Sequence, residues 1–473
     1  MPGLCRSWAN PSPRSLRLSK PSPRNSGRLQ HGPPQETARG SIQGWCGKKV
    51  RSFAVWASNP ELCGYTRILP PSNQSILSQP VSPIRDLALA LYAPTLLVAI
   101  GQQALLIMLP LYALELGGGA GLAATFLGLN GLGRMAAALP SGTAISRLGD
   151  KRTMLGGLVI IIAAMAALIF VADLWLISFL AFALGFGVGA WMLARLHYIA
   201  EHCPVSHRGR AMTVLAGLHR FGALLGPVLG GVTAEYLGYP ALFLGAGALA
   251  LIGFALAAQY TKRVPAEKLS SHQAIGAITR VIGEHRSVFL RAGSATIALQ
   301  FVRAGRQLLV PLWGHHIGLD AAEIGLVFSL SSAIDVAMFY PAGYIMDKWG
   351  RKWAMTPSLV FLGATLGLLT LTDGFVGYLI VVLLSGVGNG FGTGVVMTIG
   401  ADLSPLEHRG EFLGVWRLIG DLGSAVGPFL MGAAAETFAL TGALVLNVAI
   451  GGLGAGIMVC AVSETLRRGE RAP

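Results

Sequence analysis

Gly142-Thr143-Ala144-Ile145-Ser146-Arg147-Leu148-Gly149-Asp150-Lys151-Arg152 and Gly343-Tyr344-Ile345-Met346-Asp347-Lys348-Trp349-Gly350-Arg351-Lys352 are two versions of one polar loop, and their spacing decides how the chain is read. Gly142 matches Gly343, and Gly149-Asp150-Lys151 matches Gly350-Arg351-Lys352, each pair 201 residues apart. The same offset links Pro110-Leu111-Tyr112 to Pro311-Leu312-Trp313, Arg208-Gly209 to Arg409-Gly410, and Gly226-Pro227 to Gly427-Pro428. One such match can arise by chance, but five in register mark an internal duplication.

Outward from these loops run apolar stretches of about 20 residues, the length that crosses a ~30 Å hydrocarbon core. They predict helices near 87–112, 120–144, 153–173, 175–200, 210–235, 239–260, 289–314, 321–346, 354–374, 376–400, 411–436 and 439–463. The polar stretch 261–288 separates six helices from six, and His272–His285 within it reads as a short amphipathic surface helix. Residues 86–260 and 289–463 then form two bundles, with 464–473 as a tail. The expected fold class is an all-α membrane protein of twelve transmembrane helices in two pseudo-symmetric six-helix bundles. Each half has an even number of helices, so both insert with the same orientation.

Composition agrees. The chain is 53% hydrophobic and 12% charged, with a mean hydropathy of +0.59, against about 25% charged in soluble domains. Sixty-three glycines suit helices that approach closely in lipid. One set of loops carries Glu115, Asp173, Glu235, Asp320, Glu323, Asp373 and Glu436 and no Lys or Arg. The alternate set carries Arg147, Lys151, Arg152, Arg208, Lys262, Arg263, Lys268, Arg280, Arg286, Lys348, Arg351, Lys352 and Arg409. Positive loops stay on the side of insertion, so both ends of the helical body face the cytosol or its organellar equivalent.

The net charge of +14 does not indicate nucleic acid, because no folded basic domain gathers it. Residues 1–85 hold twelve Lys and Arg against Glu36 and Glu61, and are rich in Pro and Ser. Such a segment cannot bury enough apolar surface to fold alone. Its Arg-rich, acid-poor make-up fits an organelle transit peptide, with Lys49–Ser58 resembling the region near a chloroplast cleavage site. That would place the protein in a chloroplast envelope or another organelle membrane. A disordered cytosolic tail, with a plasma or inner membrane location, is the alternative. The five cysteines form no metal spacing or disulfide framework. No GxxxxGK[ST] sequence and no nucleophile–base arrangement occur, so neither ATP-driven transport nor enzyme chemistry is expected, and no cofactor.

The loop at Gly343–Lys352, with Asp347, Gly350 and Arg351, resembles the signature between the second and third helices of each half in the major facilitator superfamily. The N-terminal copy keeps Gly142 and Gly149 but has Ser146 where that signature has Asp, which puts the cytosolic latch of this half in doubt. Gly222, Gly226, Pro227, Gly230 and Gly231 fit the fifth-helix pattern GxxxGPxxGG of proton-exchanging exporters in that family, and Gly423, Gly427, Pro428 and Gly432 keep a partial copy. The small residues are also what close helix packing alone requires. The family's fourth-helix Arg is missing, with Ala181 standing four residues before Gly185. The resemblance implies that helices 2 and 11, and helices 5 and 8, face each other across the seam between halves.

Ionisable groups inside hydrocarbon cost roughly 2.5–3.5 kcal/mol each on insertion scales and so need partners or water. Arg134 falls on Asp335 and Arg220 on Asp421 under the 201 offset, all about 12–15 Å from a helix end. The implied facing of helices pairs Arg134 with Asp421 and Arg220 with Asp335, two interdomain ion pairs suited to coupling. An Asp there can also carry the driving proton. A static Arg417–Asp421 pair at i,i+4 spacing is the competing arrangement. Arg303, Arg306, Gln300, Gln102, Gln103 and Asn389 are the substrate-binding candidates, and the surplus of Arg over acid suits an anion. His219 is the one histidine deep enough for a proton relay.

These features predict a monomeric secondary transporter in the lipid bilayer. It would move a small organic, anionic molecule by alternating access, with proton-coupled efflux as the leading mode. An organic-anion uniporter or symporter, or a non-transporting receptor on the same fold, are the alternatives.

Overall fold

The computed structural model describes residues 87–262, 279–405 and 407–466, and every regular element among them is a helix. The proposed transit segment, residues 263–278 of the linker and residues 467–473 of the tail lie outside the described residues. Residues 279–284 are helical.

The first half comprises α1 (Ala88–Glu115), α2 (Ala120–Leu148), α3 (Asp150–Phe170), α4 (Leu174–His202), α5 (Val205–Leu237) and α6 (Tyr239–Tyr260). The second comprises α7 (Ser294–His316), α8 (Ala321–Lys348), α9 (Lys352–Leu371), α10 (Phe375–Leu403) and the run Arg409–Cys460. That last run leaves helical geometry at Phe438 and Ala439, splitting into α11 (409–437) and α12 (440–460). Ten runs are long and apolar enough to cross a membrane. With α7, made more polar by Gln300, Arg303, Arg306 and Gln307, and with α11 and α12 counted apart, the described residues hold twelve spans.

Local breaks follow the duplication. α2 and α8 bend at Ala137 and Met338, each three residues before a proline, Pro140 and Pro341. Proline lacks the amide donor and crowds the preceding turn. Gly149 (φ +83°) and Gly350 (φ +115°) reverse the chain in left-handed backbone that a side chain would strain. α10, expected to be continuous, is interrupted at 392–394, where Gly394 is left-handed. Phe170 and Trp175 are both 86% exposed, and Tyr340 and Trp353 are exposed at the opposite ends of the bundle. In water such a surface would invite aggregation, whereas at bilayer interfaces it forms aromatic belts.

Between halves, α2 packs on α11, α5 on α8, and α1 on α7. Where the acidic loops lie, the halves touch at backbone level. A Cβ added at Gly131 would sit 2.9 Å from Ala425 Cα, and Cβ atoms at Gly231 and Gly325 would strike the carbonyls of Ala321 and Pro227. The Gly121 amide donates to Glu436 Oε1 (2.9 Å), the Ala321 amide to Glu235 Oε2 (3.1 Å), and the Val228 amide to Ser329 Oγ (2.9 Å). Toward the basic loops, a Cβ at Gly142, Gly209, Gly343, Gly410 or Gly414 would meet nothing within 4 Å. The halves are held by direct contacts at the acidic end of the seam, and these glycines toward its basic end touch nothing across it.

Candidate functional site

Where the seam begins to open, seven charged side chains come together. They are Arg134 of α2, Arg195 of α4, Arg220 of α5, Arg303 of α7, Asp335 of α8, and Arg417 and Asp421 of α11. Arg134 lies in the fields of Asp421 and Arg417, and Arg303 in those of Asp335 and Arg220. His219 stands among Arg195, Arg134 and Arg220.

Neither expected cross-seam ion pair is formed in this conformation. Asp421 lies 3.7 Å from Arg417 Nε one turn earlier on its own helix, while Arg417 Nη2 reaches Met192 Sδ of α4 at 3.3 Å. The neighbour on the same helix is the nearer cation. Arg220 lies over the ring of Phe339, 4.8 Å from its centroid, and its buried Nη1 has no hydrogen-bond partner. Asp335 instead accepts from Asn389 Nδ2 (2.8 Å) and Thr393 Oγ1 (3.3 Å). Both donors sit at the break in α10, where an interrupted helix leaves polar groups to be satisfied inside the protein. Arg303 joins this network through Gln300 Oε1 (3.2 Å) and the Asn389 carbonyl (3.3 Å), and its Nε is buried without a partner.

Other candidates are placed elsewhere. Arg306 is buried in the second half: Nε donates to Ser385 Oγ (3.1 Å), Nη2 to Ser331 Oγ (2.8 Å), and the guanidinium lies over Phe328. It ties α7 to α8 and α10 and is not free for substrate. Gln102 borders a cavity of about 20 Å³ inside the first half, together with Asn130. That is room for about one water. Gln103 packs by its Cβ against Gly226. Arg195 and Thr393 were not anticipated from sequence.

Gly222, Gly226 and Gly230 form a groove on α5 that receives Ala99, Ile100 and Ala104 of α1, while Pro227 and Gly231 face α8. In the basic loops, Arg351 Nε pairs with Asp402 Oδ2 at 2.9 Å, whereas Asp347 is 80% exposed and 4.0 Å from Arg351. Ser146 bonds only locally, to the Thr143 carbonyl (3.0 Å).

The chain matches the Major Facilitator Superfamily profile over residues 91–302 and 292–472. It is 24% identical over 368 residues to a multi-drug resistance efflux pump PmrA homolog of Lactococcus lactis, covering 73% of this chain and 88% of that one. It is 25% identical over 132 residues to an uncharacterized MFS-type transporter, MJ1560, of Methanocaldococcus jannaschii, covering 28% of this chain and only 34% of the relative. A bacterial homolog of the human lysosomal transporter Spinster, solved inward-facing and unoccupied, superposes with a TM-score of 0.69 at 14% identity, covering 83% of this chain and 99% of that one. With both halves matched and the duplicated bundle in place, the chain belongs to the Major Facilitator Superfamily.

Proposed function

We propose that the chain, acting as a monomer, carries a small organic anion across its membrane by alternating access, with protons as the coupling ion and efflux as the direction. The observation that carries this reading is the charge at the seam, where, among the described residues, Arg134, Arg195, Arg220, Arg303 and Arg417 face Asp335 and Asp421 alone. Burying that surplus is unfavourable unless an anion or water answers it. A substrate carboxylate, phosphate or sulfonate held between the two halves does so.

The efflux direction draws support from the likeness to the lactococcal pump and from the glycine–proline pattern of α5. Asp421 is the preferred proton carrier: held at 3.7 Å by Arg417 and within the field of Arg134, it can change partner as the seam closes. The arginine- and serine-rich stretch 1–85 supports import into an organelle, which N-terminal sequencing of the mature protein tests.

Purified protein in proteoliposomes, loaded with glucuronate or succinate, tests the transport reading. An imposed inward proton gradient should accelerate anion release several-fold. Release unaffected by the gradient would support a uniporter, and release of neither anion would remove the anion reading.

A further inference from the structure

Resting on the anion reading above, we propose that Arg195 is the residue that anchors the substrate's anionic group. It has no counterpart in the repeat, since position 396 is Val396, so it was not placed there by duplication of a packing motif.

Arg195 is 7% exposed on α4. Among the described residues its one hydrogen bond runs from Nη1 to Thr95 Oγ1 of α1 at 3.3 Å, and Nε is shut off from water without a partner there. No carboxylate lies within 4.0 Å of it among the described residues. The charged group nearest it is another cation, Arg417, facing it from the other half, and the His219 side chain of α5 stands close by. A guanidinium in such a place lacks the counter-ion that buried charge requires. Its unbonded Nε–Nη2 edge has the fork geometry that meets a carboxylate or phosphate oxygen pair side-on.

Placement supports the same role. Met192, one turn earlier on the same face of α4, contacts Arg417 across the seam. Arg195 therefore lies beside the seam and about 10 Å inside the His202 end of its helix. An anion bound there would bridge Arg195 in one half to Arg417 in the other. The substrate would thus supply the charge that draws the two halves together on the open side, which links occupancy to closure.

The assignment is tested by KM and maximal rate of glucuronate and succinate flux in proteoliposomes for wild type, R195Q, R195K and T95V. R195Q should raise KM by about 10- to 100-fold, the loss expected for a charge-assisted bond in a desolvated site. Maximal rate and melting temperature should change far less. R195K should fall between, since it keeps the charge and loses the fork. T95V, which removes only the bond that steadies the guanidinium, should raise KM by about threefold or less. If R195Q fails to fold, R195K decides by the same KM criterion. An unchanged KM in R195Q or R195K, or equal effects of R195Q and T95V, overturns the anchor role while leaving the anion reading intact. A wild type that carries neither anion overturns both.

Discussion

Glu436 and Gly121 stand 315 positions apart in the chain and are joined by a 2.9 Å hydrogen bond from the Gly121 amide to Oε1. Glu235, 201 residues before Glu436, makes the corresponding bond one residue out of register, with the Ala321 amide at 3.1 Å. Each carboxylate, at the end of α11 or α5, caps the N-terminus of a helix in the other half, α2 or α8. The amides there have no intrahelical acceptor, and the helix dipole favours an anion. The acidic end of the seam is thus closed by two symmetric clasps.

Removing a clasp should favour opening at that end. A helix-terminal anion contributes about 0.3–1 kcal/mol and its hydrogen bond a similar amount, so E235A or E436A should shift the conformational balance by roughly 3- to 30-fold. The double variant should shift it further, because the two sites share no partner. Thiol labelling at a cysteine placed on the acidic-end seam reads this: labelling should rise in each variant.

Glycines of one motif should behave differently according to what they face. A Cβ at Gly231 would enter the Ala321 carbonyl across the seam, whereas one at Gly226 would come within 2.6 Å of the Ile100 carbonyl inside the first half. Overpacking of this kind costs about 1–3 kcal/mol. G231A should therefore raise acidic-end labelling with little change in melting temperature, and G226A should lower the melting temperature with little change in labelling.

Arg303 and Arg306, three residues apart on α7, should separate into site and scaffold. R306Q leaves the hydroxyls of Ser331 and Ser385 without their charged donor, and about 1–3 kcal/mol of stability should be lost, seen as a lower melting temperature in detergent. R303Q should melt close to wild type and lose most transport, because Arg303 already has one buried N–H free for a ligand.

Asp421 should be the residue that couples flux to protons. D421N should lose acceleration by a proton gradient and keep exchange of glucuronate for glucuronate, which needs no net proton movement. If Arg134 and Asp421 meet as the seam closes, the swap R134D/D421R should recover part of the flux lost in either single variant. Loss in both singles and in the swap alike would argue for Arg417 as the permanent partner.

Much of this architecture was legible in the chain because duplication preserves spacing. The 201-residue offset located α2, α5, α8 and α11, and with them the depth of Arg134, Arg220, Asp335 and Asp421. Pairing was not legible, since an Asp with one Arg a turn away and another across a moving seam satisfies the same pattern either way. The break in α10 was hidden because Gly392-Thr393-Gly394 interrupts an apolar run without adding charge, so length and hydropathy read straight through it. Glu235 and Glu436 obeyed the offset but sat at predicted helix ends, where they read as loop charges and not as caps. Arg195 has no partner under the offset and lies close to the expected helix end near 200, so neither spacing nor depth singles it out.

The measurement that addresses the central claim most directly is the charge moved on substrate binding, recorded as a transient current when substrate is rapidly added to proteoliposomes on a solid-supported membrane. An arginine-rich seam predicts a saturable current for glucuronate or succinate, none for methyl viologen, and a shift of half-saturation to higher concentration in R303Q. A saturable current from methyl viologen with none from either anion would contradict the account.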